Sequence, residues 1–283
     1  MDLTEDEKQY YLSQAKGYQG EGQNDLWVEK LHEEIIVLHD LLFEIRNTQF
    51  QIDTLIITQD RLYLLDVKNN EGDYIYKNDG FYTLSGNETK NHLHQLKRCE
   101  SLLRQLLQTH GFNFPIEGYL IFINPEFFLY NVPPELPIVF PTQLKRFYQK
   151  LNKRPSKLSE KHKVLANKLL AKVKGDSCYS HPPNYEYDKF RKGCACGSCH
   201  SLRTLVVKKK IICSECGHSE QFEAAVLRSV EEYKLLFPER KVRTMAIYEW
   251  CGEVVSDKVI RTILHKNYKL NGLGRFSYFK KVK

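Results

Sequence analysis

Residues 51–68 read QIDTLIITQDRLYLLDVK, and the fold is decided there. Two runs of branched apolar residues, 50–58 and 62–68, are joined by Gln59-Asp60-Arg61, a connection so tight that it predicts a β-hairpin. A third strand is expected just before it, over 42–46. Charges interrupt the apolar runs at three places: Asp53 in the first, Asp66 and Lys68 in the second. A charged side chain inside an apolar strand is costly unless it is paired or liganded. Asp66 and Lys68 are two residues apart and so share a strand face, and hairpin pairing can bring Asp53 to that face from the neighbouring strand. Two carboxylates and an ammonium then converge. Hard carboxylate oxygens hold Mg²⁺ or Mn²⁺, the ion lowers the pKa of a bound water, and a lysine stabilises developing charge or positions that water. Those are the requirements of phosphodiester hydrolysis. The alternative is a cross-strand salt bridge near an exposed strand end.

Upstream, apolar residues at Leu26, Val28, Leu31, Ile35 and Leu38 recur mostly three or four apart. They predict a helix over 21–38, entered through a Gly17-Tyr18-Gln19-Gly20 turn. Downstream, 73–76 and 81–84 flank Asn78-Asp79-Gly80, whose residues tolerate the positive φ of a hairpin turn. Leu93, Leu96, Leu103, Leu106 and Leu107 predict a helix over 91–110 with Gly111 at its C-terminal cap, followed by a buried strand over 116–123. The proline-dense run 131–141 is expected to interrupt regular structure. Helices follow at 142–151 and, behind a Ser159 cap, at 159–173; 175–183 has the composition of a linker.

Four short motifs between Gly17 and Gln95 occur in an order and spacing that resembles the nuclease-related domain, NERD, of the PD-(D/E)XK restriction-endonuclease-like superfamily. Gly17-Tyr18-Gln19-Gly20-Glu21 looks like its Gly-x-x-Gly-Glu opening, Ile52-Asp53 its metal-binding aspartate, and Asp66-Val67-Lys68-Asn69 its Glu-Val-Lys-Asn signature. Asn91 to Gln95 resembles its Asn-Pro-x-x-Gln helix start. Asp66 stands where Glu is usual and His92 where Pro is usual. The resemblance implies an α/β fold, a mixed sheet flanked by helices. It also implies Asp53 and Asp66 as metal ligands and Lys68 as the catalytic lysine, with Glu21 and Gln95 completing the site. Without the resemblance, Glu21 reads as a first-turn helix carboxylate favoured by the positive dipole end, and Gln95 as a solvated helical residue. His92 and His94, two apart, share no helical face and are expected at the surface.

Of eight cysteines, four form two Cys-x-x-Cys knuckles, Cys196–Cys199 and Cys213–Cys216, around strand-like 205–207 and 211–212. Without a secretory signature, such spacing reads as metal binding rather than disulfides. Four thiolates with no open position make a structural Zn²⁺ site, a zinc ribbon. Cys194, and less so His200 and His218, are competing donors. The ribbon either replaces a core too small to fold alone or presents Lys208, Lys209 and Lys210 to phosphate. In the tail, a helix over 244–250, a turn at Gly252, a second helix from Ser256 to about 265 and a Gly272-x-Gly274 turn resemble a helix-turn-helix with a β-wing. Docked on DNA, its second helix would present Lys258, Arg261 and Lys266, and its wing Arg275, Lys280 and Lys281. The alternative is a packing domain with solvated lysines.

The net charge of +7 is unevenly spread. Residues 1–150 hold 14 Lys and Arg against 22 Asp and Glu; residues 151–283 hold 28 against 13. A basic half suits a polyanion, because neutralising phosphates releases counterions. No apolar run approaches the roughly 18 residues of a spanning helix, and the acidic first eight residues lack a secretory pattern. A cytoplasmic protein with no membrane or small-molecule cofactor is expected. The domains expected are a nuclease-type domain (1–150), a helical linker (151–183), the zinc ribbon with a following helix (184–240) and the winged-helix-like tail (241–283). The leading reading is a Mg²⁺-dependent DNA nuclease; a catalytically inactive nucleic-acid binder and a zinc-ribbon adaptor for protein partners stay open.

Overall fold

The computed structural model describes residues 4–31, 34–174, 185–274 and 277–281. The chain divides into two compact units, Leu3–Pro183 and Asn184–Lys283, with Met1–Asp2 grouped with the latter.

The first unit opens with α1 (Glu5–Val28), started by a reciprocal cap in which Glu7 N–H donates to Thr4 Oγ1 at 3.2 Å and Thr4 N–H to Glu7 Oε2 at 2.8 Å. The expected helix over 21–38 is therefore corrected at both ends. Gly17 to Gly20 lie inside α1 rather than in a turn before it, and Leu38 belongs to the next strand. Then follow β1 (Ile36–Ile45), β2 (Thr48–Ile57), β3 (Leu62–Lys68), β4 (Gly72–Lys77), β5 (Gly80–Thr83) and β6 (Glu88–Thr89). After α2 (His92–Thr109) come β7 (Ile116–Phe122), β8 (Phe127–Tyr130), β9 (Ile138–Val139), α3 (Leu144–Asn152) and α4 (Glu160–Leu170).

One sheet has the order β1-β2-β3-β7-β9, antiparallel through β3 and parallel beyond it; a smaller one runs β6-β5-β4-β8. The fold is thus α/β, with mixed sheets flanked by helices. The proline-dense run is less irregular than expected, since Ile138 and Val139 pair with Leu120 and Ile121.

The period-two rule divides β3 between two cores. Leu62 and Leu64 join the leucines of α2 on one face, while Tyr63, Leu65 and Val67 pack with Val28, Leu144 and Tyr148 on the other. Asn24 ties the second face together: its amide donates to Thr54 Oγ1 at 3.2 Å and its carbonyl accepts from Tyr148 OH. Residues 151–183, set apart above as a linker, contain α4, whose Leu165, Ala166 and Leu169 are buried in the α2 core. His162 anchors it, accepting from Ser159 N–H at 2.9 Å through Nδ1 and meeting Gln59 O at 3.0 Å through Nε2. The expected linker 175–183 lies outside the described residues.

The second unit contains a three-stranded sheet, β10 (Thr204–Val207), β11 (Lys210–Cys213) and β12 (Ser219–Gln221), then α5 (Phe222–Leu236), α6 (Thr244–Trp250) and α7 (Asp257–Asn267). It ends in the hairpin β13 (Tyr268–Asn271) and β14 (Tyr278–Lys281). Cys194 and Ile211 from the cysteine-rich part share one core with Val230, Trp250, Ile260 and Phe279, so 184–240 and 241–283 are packed as one body.

Candidate active site and metal centre

The β2–β3 ladder runs from Ile57↔Leu62 to Thr54↔Leu65. One step further sets Asp53 opposite Asp66, and opposed residues of antiparallel strands leave the same face. For Asp66 that is the row of Leu62 and Leu64, the side covered by α2. Lys68 is next in the row, its Nζ 2.5 Å from Asp66 Oδ1. Asp53 is fixed by the strand beside it, its Oδ2 accepting from Val67 N–H at 2.7 Å.

Asp66 is 6% exposed, and its Oδ2 is buried with no hydrogen-bond partner among the described residues. Burial pushes Asp53 up to about 7, with Asp66 adding to the rise and Lys68 opposing it. Burial works against the Lys68 ammonium, but Asp66 and Asp53 outweigh it and hold its pKa above the ordinary value.

Glu21 reaches this end of β3 from the middle of α1, which removes its reading as a first-turn carboxylate; Glu5, Asp6 and Glu7 take that place. Gly20 explains the approach. A Cβ there would stand 2.7 Å from Asn69 Cβ and 3.3 Å from Ile123 Cγ2, so only glycine lets α1 lie this close to the strand. Asn69 closes the joint, its amide donating to Lys16 O at 2.7 Å. The first and third motifs are thus one contact. Burial, then Asp40, hold Glu21 above the usual carboxylate range, while Lys68 pulls it down.

Gln95 lies on α2 and lines, with Asp53, a cleft of about 510 Å³; its Oε1 is buried and has no hydrogen-bond partner among the described residues. His92 is not at the surface as expected. It is half-buried edge-on against Phe81 and Phe122, and burial with Lys68 pushes it down to about 4. His94 is exposed and lines the cleft.

The donor set suits a hard divalent cation. Asp53 and Asp66 supply carboxylates, and the unpartnered oxygens of Asp66 and Gln95 are of the type Mg²⁺ takes. Among the described residues, Glu21 does not complete a tight three-carboxylate cluster with them.

In the second unit the Sγ atoms of Cys196, Cys199, Cys213 and Cys216 all lie within 4.8 Å of one another, an arrangement that could hold a metal such as zinc. Tetrahedral Zn–S arms of about 2.3 Å place sulfurs about 3.8 Å apart; Cys196–Cys216 are at 3.6 Å and Cys199–Cys213 at 3.5 Å. The two knuckles repeat one local geometry. Ser198 N–H donates to Cys196 Sγ at 3.3 Å and Glu215 N–H to Cys213 Sγ at 3.4 Å, and each turn closes on a left-handed residue, His200 (φ 59°) or Gly217 (φ 73°). The backbone N–H groups of Cys199 and Ser198 pull Cys196 down to about 6, toward the thiolate a metal requires. Cys194 stands apart from the four, a free thiol buried in the core with Cys251.

Lys208, Lys209 and Lys210 are exposed at the β10–β11 connection. Lys258 and Arg261 are exposed on α7, three residues apart and so on one face. Lys266 pairs with Glu223 at 2.8 Å and Lys281 with Glu231 at 3.2 Å, while Lys280 lies over the Tyr278 ring. Arg275 lies outside the described residues.

Residues 16–123 match the family model described as the nuclease-related domain, NERD. The match spans Glu21, Asp53, Asp66, Lys68 and Gln95 and leaves out α3, α4 and the second unit. No curated protein and no solved structure matches the chain. Among the described residues, no helix is long and apolar enough to cross a membrane.

Proposed function

We propose that this chain is a Mg²⁺- or Mn²⁺-dependent DNA phosphodiesterase of the PD-(D/E)XK type, an endonuclease or DNA-processing nuclease. Its second unit, a zinc ribbon with a winged-helix-like α6–α7 and β13–β14, would hold the substrate. The observation that carries this reading is the meeting of Asp53, Asp66 and Lys68 on one sheet face, with Asp66 Oδ2 buried and unpartnered. The nuclease-related match over 16–123 supports it from outside the geometry.

Asp53 and Asp66 would hold the cation, with Gln95 beside them. When bound, the ion supplies Lewis acidity to a phosphoryl oxygen and makes water more acidic. Lys68 would stabilise charge developing on the phosphoryl oxygens or orient the attacking water. Val67 N–H keeps Asp53 aimed at the site throughout. Gly20 and Asn69 position Glu21 and do no chemistry themselves. The knuckle cysteines would hold Zn²⁺ for structure, with Lys208, Lys209, Lys210, Lys258, Arg261 and Arg275 facing phosphate.

The test is cleavage of supercoiled and linear DNA by the full chain with Mg²⁺, Mn²⁺ or EDTA, beside Lys68→Ala and Asp66→Asn. Cutting that needs the metal and falls by about a hundredfold or more in either variant supports the reading. DNA binding without cutting supports the inactive binder instead. Neither activity, with capture of a protein partner insensitive to salt, supports the adaptor.

A further inference from the structure

The cleft that contains Asp53 and Gln95 has two polar walls that the nuclease motifs leave unused. On β2, Gln49, Gln51 and Asp53 alternate and share a face. On α2 and just before it, Lys90, His94 and Arg98 line the opposite wall, with His94 and Arg98 four residues apart on one stripe. All three are exposed, and neither Lys90 nor Arg98 has an acidic partner among the described ion pairs. Lys90 and Arg98 are the Lys and Arg side chains that line the cleft, and they do so beside the Asp53 carboxylate.

We propose that this cleft is the track for the nucleic-acid backbone, in which Arg98 and Lys90 grip phosphates flanking the scissile one. Arg98 serves as a planar fork for phosphate oxygens and Lys90 as a point charge. From Asn91 to Arg98 the helix rises about 10 Å. At roughly 3.4 Å of rise per nucleotide, that wall spans about three nucleotides. The carboxylates at the end of the track repel a polyanion, and the two cations offset that repulsion where the strand enters. The facing wall, Gln49 and Gln51, carries no charge of its own, and the Gln51 amide is held in place by donating to Asp40 Oδ1 at 2.8 Å. The direction of the track, toward Asp53, rests on the nuclease reading; its affinity for phosphodiesters does not.

Two measurements on the full chain keep the two ideas separable. In Ca²⁺, an iodouridine-substituted oligonucleotide, as DNA and as RNA of one sequence, is photocrosslinked and the adducts mapped by mass spectrometry. In Mg²⁺ or Mn²⁺, kcat/KM is compared between a dinucleotide with a single phosphodiester and a hexanucleotide with flanking phosphates. We expect crosslinks within 49–53 or 90–98 that disappear in K90A/R98A while those in the second unit persist. We also expect a hexanucleotide advantage that the double variant loses by at least about tenfold, with the dinucleotide unchanged and Arg98→Lys partly restoring it. The salt slope of hexanucleotide binding should fall by about two. Crosslinks in the cleft without cleavage would leave the track standing and remove the nuclease. Cleavage without cleft crosslinks, and with equal loss on both substrates or none, would overturn the track alone. Neither crosslinks nor cleavage would overturn both.

Discussion

Gly17 and Gly20 are equivalent letters of one motif, yet the structure gives them opposite roles, and replacing each by alanine separates them. Both sit inside α1, where a glycine costs about 1 kcal/mol relative to alanine. A Cβ at Gly17 meets nothing within 4 Å, so Gly17→Ala should stabilise the first unit by roughly 0.5–1 kcal/mol. At Gly20 the same gain is opposed by a Cβ only 2.7 Å from Asn69 Cβ, with Ile123 Cγ2 at 3.3 Å on another side. Asn69 is held by its bond to Lys16 O, so relief requires α1 to move off the strand. Overpacking of this kind costs about 1–3 kcal/mol. Since propensity cancels, the difference between the variants is the clash alone, a melting-temperature gap of about 2–4 °C for each kcal/mol in a unit of this size. Differential scanning calorimetry or urea titration of the full chain, following the first transition unit, reads it. Gly20→Ala should also lower DNA cleavage by displacing Glu21, and Gly17→Ala should not. Equal stability and activity in the two variants would refute the docking of α1 on Asn69.

Asp53 makes stability depend on pH in EDTA. Its pKa rises from 3.8 to about 7 on folding, so its own contribution to stability falls as pH rises from about 4 to about 7, while His92, pushed down from 6.5 to about 4, adds an opposing rise between about pH 4 and 6.5. Asp53→Asn should remove the falling part, so that stability rises more steeply with pH than in the parent and exceeds it above pH 7; an unchanged profile in urea titrations across that range would contradict it. Metal analysis should find one zinc per chain, lost in Cys213→Ser, and a strong chelator should melt the second unit while the first keeps its transition. Replacing Lys208, Lys209 and Lys210 with alanine should reduce the salt slope of DNA binding by about three, measured by fluorescence anisotropy; an unchanged slope would assign retention to α7 instead.

The parts of this molecule that could be read in advance are those where one local signal dominates. Short runs of branched apolar residues and a three-residue connection point to β2 and β3, and i, i+3 spacing of thiols points to the knuckles. The helix at 21–38 failed because Leu26 to Leu38 keep an apolar period across what is really a helix end and a strand start, each buried against a different partner. The true start of α1 was present in Thr4-x-x-Glu7, a reciprocal cap without the apolar stripe that usually follows one; Tyr10, Tyr11 and Leu12 are exposed. His92 was misplaced because its neighbours, Phe81 and Phe122, are distant in sequence. For the same reason the pairing of Gly20 with Asn69 and the cations at Lys90 and Arg98 could not be seen: each depends on which elements face each other. A side chain's type suggests a chemistry, but only topology supplies the second participant.

The most direct measurement is diffraction at the manganese edge from crystals of the full chain soaked in Mn²⁺ with a non-cleavable oligonucleotide. An anomalous peak bonded to carboxylate oxygens of both Asp53 and Asp66, with Lys68 turned from Asp66 toward the phosphate, is the predicted result. A saturated crystal with no peak between the two aspartates, and with the Lys68–Asp66 pair still closed, would contradict the account.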